Sequence, residues 1–151
     1  ELSEQARSLW LRLTCAREYS EGMSPGQIQG REYLPMFPAR DGVYTIEQVR
    51  EKFLAVFSKE FTDKTLNAAI ASKDLLEYNG NVYAAYRKNK GETSYNSWAD
   101  HVRDDGDGKF TVVMGVSMPP DGSTVYVELP TEKNVAGKFV FTDYPYWDRS
   151  E

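Results

Sequence analysis

The stretch HVRDDGDGKF, residues 101–110, gathers the chain's single histidine, His101, with the aspartates Asp104, Asp105 and Asp107. Histidine beside carboxylates is the composition of a metal site, or of a general base oriented by an acid. Spacing rejects a calcium loop. With Asp105 and Asp107 at its first and third ligand positions, Lys109 falls at the fifth and Val116 stands where the bidentate glutamate belongs. A looser cation site on Asp104, Asp105 and Asp107 is compatible with the spacing, but Asp and Gly are also what a tight hairpin end requires. The segment therefore reads as a turn between a strand ending near Val102 and another beginning near Lys109. A lone histidine with no HExxH or second His reads as an edge residue rather than a ligand.

Other chemistry is sparse. Cys15, the only cysteine, lies off the apolar stripe of the first helix with no base beside it, and it can form neither an internal disulfide nor a Cys-rich zinc site. The serines lack a GxSxG context, and the glycines compose neither GxGxxG nor a P-loop. Glu128 and Asp143 could serve as acid and base only if a cone-shaped sheet buried them together; otherwise they are solvated charges. No metal or cofactor is expected. Tyr and Trp join large apolar area to a polar handle, so the candidate binding residues are Tyr95, Trp98, His101, Asp143, Tyr144, Tyr146 and Trp147.

The elements that position these groups follow from periodicity. Leu2, Ala6, Leu9, Trp10, Leu13 and Ala16 recur at helical spacing, which predicts a helix over about 4–20. Thr45 and Gln48 have capping-box spacing ahead of a second helix over about 46–58. Thr62 is the expected cap of a short third helix over about 63–72. Residues 22–41, rich in Gly and Pro, read as an ordered connection.

After Ser72 the period changes. Asn79-Gly80 tolerates the positive φ angles of a type I′ turn and joins two strand-like runs. Phe110, Val112, Met114 and Val116 alternate with a second residue set, as do Val125, Val127 and Leu129, and PPDGS between the two runs reads as a turn. SYNSWADHV is a poorer alternation, and a last strand passes through Phe139, Val140 and Phe141. The order predicts an α+β fold: one domain over 1–151, with three N-terminal helices packed on a curved, mainly antiparallel sheet of about five or six strands within 75–144.

Composition narrows the partners. Acids outnumber bases 23 to 18 and there is no dense basic run, so the electrostatic footprint of nucleic-acid binding is missing. No apolar run approaches the ~18 residues of a transmembrane helix. The chain opens on Glu1 rather than Met, which fits a mature form from which a targeting segment has been removed.

The succession of YLPMFPARDGVYTIEQVREKFLAVFSKEFTDKTLNAAI, LLEYNGNVYAAY and GKFVFTDYPYW resembles the IseA family of DL-endopeptidase inhibitors, exported domains of Gram-positive bacteria. That resemblance lies in architecture rather than in catalytic residues. It implies a secreted or lipid-anchored protein that binds a cell-wall hydrolase, or another extracytoplasmic protein, and blocks it without chemistry of its own. The order is also similar to nuclear transport factor-like and cystatin-like cones, which host both enzymes and inert binding modules. A second expectation follows from the cone: a small-molecule-binding protein or enzyme with an internal pocket, using His101, Glu128, Asp143 or a tyrosine.

Overall fold

A computed structural model describes residues 2–14, 26–86, 96–118 and 122–144. The chain divides into two compact units, Glu1–Lys88 and Asn89–Glu151. Among the described residues there are three α-helices, one short 3-10 turn and two antiparallel sheets of four strands each.

In the first unit, α1 (Leu2–Thr14) buries Ala6, Leu9, Trp10 and Leu13, the stripe its spacing predicts. Residues 15–20 of the expected helix, Cys15 among them, lie outside the described residues. Strands β1 (Gly26–Ile28) and β2 (Arg31–Pro35) form a hairpin within the segment expected to be a connection. Its turn is Gln29-Gly30, both at positive φ.

α2 (Ile46–Leu54) begins on the predicted capping box. Thr45 Oγ1 accepts the Gln48 amide at 3.1 Å, and Gln48 Oε1 accepts the Thr45 amide at 3.1 Å. It stops four residues short of the expected end, and Phe57 then donates its amide to the Phe53 carbonyl. α3 (Lys59–Ala71) begins a turn earlier than expected because Ser58, not Thr62, is its cap, with Ser58 Oγ accepting the Phe61 amide at 3.1 Å. Thr62 is 0% exposed and faces the core with Leu66 and Ala69.

The Asn79-Gly80 hairpin forms as predicted, joining β3 (Leu75–Tyr78) to β4 (Asn81–Ala85). β2 pairs with β4, so the first sheet runs β1-β2-β4-β3. α1 packs on β4, and α2 and α3 on β3. Phe53, Phe57, Phe61 and Trp10 form a chain of tilted ring contacts between the helices.

The second unit holds β5 (Asn96–Gly106), β6 (Lys109–Met118), β7 (Ser123–Lys133) and β8 (Phe139–Phe141), a meander in sequence order. The poorly alternating SYNSWADHV run enters β5, which continues to Gly106; Asp107-Gly108 makes the turn to β6 with φ of 56° and 74°. This is the turn expected of the aspartate cluster, moved four residues along the strand. Val112 opposes Leu129, Met114 opposes Val127 and Val116 opposes Val125, so the predicted apolar residues share one face, hereafter the Leu129 face.

The single curved sheet expected from the sequence is therefore corrected to two sheets. The unrecognised β1–β2 hairpin gives β4 a partner of its own, and within the first unit the helices pack on β3 and β4. Among the described residues the strands thus form two four-stranded sheets in place of the one-sheet cone.

Candidate binding face

The other face of the second sheet carries Trp98, His101, Arg103, Tyr126 and Glu128. Trp98 on β5 opposes Gly115 on β6, which opposes Tyr126 on β7; one row along, His101, Val113 and Glu128 stand in line. Arg103 and Thr111 share the next row.

β5 carries two irregularities, and the first of them brings Trp98 to the face of His101 and Arg103. In a regular strand Trp98 and His101, three residues apart, would point to opposite faces. A bulge between Ala99 and His101 inserts Asp100 and restores His101 to the Trp98 face; a second, between Asp104 and Gly106, inserts Asp105. These bulges spoil the alternation of SYNSWADHV and its continuation.

Each inserted aspartate binds its neighbours on this face. Asp100 accepts from His101 Nδ1 at 2.8 Å and from the Trp98 side chain, and these bonds, His101 first, hold its carboxyl below the ordinary aspartate range. Arg103 Nε donates to Asp105 at 2.7 Å, and Arg103 Nη2 donates to Glu128 Oε1 at 3.2 Å and to Thr111 Oγ1 at 3.3 Å. The Thr111 hydroxyl in turn donates to Asp105. Hydrogen bonds from Arg103, then from Thr111, lower the Asp105 pKa, and the same carboxylates, Asp105 first, raise that of Arg103.

Trp98 lies down on the sheet. A Cβ at Gly115 would overlap its indole, so only a glycine admits the ring there. Trp98 nevertheless remains 40% exposed and Tyr126 60% exposed. The arrangement is a flat aromatic surface bordered by charges that are already bonded to one another. Neither Asp100 nor Asp105 has the raised pKa of a general acid.

Of the predicted binding residues, the structure brings Trp98 and His101 together. Asp143 and Tyr144 follow β8, three strand spacings or about 14 Å from β5. Tyr144 is 1% exposed and packs in the core instead of presenting a surface. Tyr95, Tyr146 and Trp147 lie outside the described residues. Glu128 and Asp143 have different partners, Arg103 for the first and the Tyr144 amide at 2.8 Å for the second.

Asp104 accepts the Gly106 amide at 2.9 Å and Asp107 occupies the turn, so the three aspartates of the cluster do separate jobs. Among the described residues, no three His, Cys, Asp or Glu side chains are grouped to hold a metal ion. No described helix is long and apolar enough to cross a membrane.

Sequence reasoning missed Gly115, Tyr126, Asp100 and Arg103 as members of the site and assigned Asp105 to the turn. Gly115 carried a usable signal, since a glycine inside an otherwise apolar strand marks a close approach. No protein-family model matches the chain, and no curated protein matches it.

Proposed function

We propose that this protein is a non-catalytic binding protein that acts outside the cytoplasm, with the Trp98 face of its second sheet as the contact surface. Its sharpest form is inhibition of a peptidoglycan endopeptidase, the activity implied by the resemblance to the IseA family. The observation that carries the binding role is the Trp98–Gly115–Tyr126 row: two exposed aromatics, one of them fixed flat by a glycine that accepts no side chain. Preorganised aromatic area is the usual energetic centre of a protein interface, because little side-chain freedom remains to be lost. The charged groups beside it bond to each other and have shifts that keep them ionised, which suits recognition better than proton transfer.

The test is binding of the chain to isolated peptidoglycan and to purified DL-endopeptidases, with peptidoglycan cleavage followed in parallel. The expected result is binding and slowed cleavage, with affinity reduced at least about tenfold in a Trp98→Ala/Tyr126→Ala variant. Binding without slowed cleavage removes the inhibitor form, and binding that the double variant leaves intact removes this face.

A further inference from the structure

The Trp98 face has a chemical preference that its aromatic row alone does not specify. Among the described residues, Asp100 and Glu128 stand beside the Trp98–Tyr126 row and Asp105 one row further on, three carboxylates against a single guanidinium, Arg103. With His101 neutral, this leaves an excess of two negative charges. At the far end of the face Lys109 and Glu132 oppose each other and cancel. The chain as a whole carries a formal charge of -5.

We infer that the Trp98 face takes a basic protein segment, one that lays a lysine or arginine side chain over the open face of Trp98 within reach of Glu128 and Asp100. Three observations converge on that occupant. The indole lies over Gly115 with part of its surface open, and Trp is the strongest of the aromatic partners for a cation. Glu128 sits one row from Tyr126 on the same strand face, exposed, and only its Oε1 is engaged with Arg103. Asp100 and Asp105 are anchored by protein donors, so they supply negative potential at fixed positions and need not reorganise when a cation arrives. A neutral sugar polymer would stack on the same rings but would gain nothing from the charge excess.

This inference rests on the proposed binding role and names the partner's chemistry. The probe is a synthetic peptide with lysine at alternate positions and glycine between, titrated into the intact chain at low and at physiological salt. Binding should weaken with salt, and NMR shifts should centre on the Trp98 indole. Trp98→Ala and Glu128→Gln should each weaken it about three- to fivefold, while Trp98→Phe, which keeps an aromatic ring, should weaken it less.

Asp104→Asn removes the same charge from the opposite face and keeps an acceptor for the Gly106 amide, so it should leave affinity within about twofold. Equal losses in Asp104→Asn and Glu128→Gln would reduce the effect to net charge and overturn the inference. So would unchanged affinity in Trp98→Ala, or binding of a neutral β-1,4-linked oligosaccharide in place of the peptide. If the peptide fails while the Trp98→Ala/Tyr126→Ala variant still loses its peptidoglycan or endopeptidase partner, the cationic preference falls and the binding face stands. If that variant keeps its partner as well, both fall.

Discussion

The indole of Trp98 occupies the space that any side chain at Gly115 would need. The two residues oppose each other on β5 and β6, and Tyr126 completes the row from β7. Glycine weakens a strand because it adds backbone entropy and no packing. Here the ring supplies the packing and the glycine supplies the room. Flatness of the aromatic surface is thus a property of the pair, not of the tryptophan alone.

Gly115→Ala should therefore displace the indole and destabilise the protein by about 1–3 kcal/mol, the usual range for overpacking. Chemical denaturation measures the loss, and NMR follows the Trp98 side chain. In Trp98→Ala the space is open, and adding Gly115→Ala to that background should cost much less. A double-mutant cycle showing simple additivity would mean that the two residues are not coupled.

The legible parts of this fold were those in which one local rule acted without competition. Asn79-Gly80 marked its hairpin because both residues accept positive φ, and the alternation from Phe110 to Val116 placed one face correctly. Gln29-Gly30 forms the same kind of turn with a residue that seldom visits positive φ, so its sequence reads as part of a connection. Ser58 and Thr62 offer similar capping oxygens; tertiary burial of Thr62 decides between them. The site was harder still. An extra residue at each bulge breaks the period on which strand reading depends, so Trp98 shares a face with His101 and Arg103 only through the residue inserted at Asp100.

Arg103 controls the ionisation of Asp105, and the consequence can be read by titration. Asp105 in the folded chain is expected to titrate below the ordinary aspartate value of 3.8, because Arg103 and then Thr111 hydrogen-bond to its charged form. A depressed folded-state pKa contributes stability that is present above the unfolded value and is lost as pH falls through the folded one. Arg103→Gln should move the Asp105 titration upward and flatten this acid dependence. An NMR carboxylate titration unchanged by the substitution would show that Arg103 is not the cause.

Helix ends offer two independent stability tests in the first unit. Lys73 has φ of 64°, just beyond the Ser72 cap of α3, and its carbonyl accepts the Tyr33 hydroxyl at 2.8 Å. A glycine there keeps the carbonyl and removes the left-handed strain, so Lys73→Gly should stabilise by about 0.5–1 kcal/mol. Thr45→Ala should destabilise by about 1 kcal/mol, since the Gln48 amide loses its acceptor. Urea denaturation of both variants checks the opposite signs, and two shifts in the same direction would contradict this account of the caps.

β5 is an 11-residue strand that pairs with β6 alone among the described residues, and long edges of this kind recruit other strands. Its bulges interrupt the ladder at Asp100 and Asp105, and each inserts a carboxylate that would be costly to bury against a second edge. Deleting Asp100 closes the first bulge while keeping Ala99 opposite Met114 and His101 opposite Val113, so the variant retains its register with β6 and gains a longer regular edge. The expected outcome is concentration-dependent association in sedimentation velocity, at concentrations where the parent chain sediments unchanged. Asp100→Ala separates the two contributions: it keeps the extra residue and removes only the carboxylate, so it should associate less than the deletion. If the deletion variant sediments like its parent over the same range, the bulge does not protect this edge.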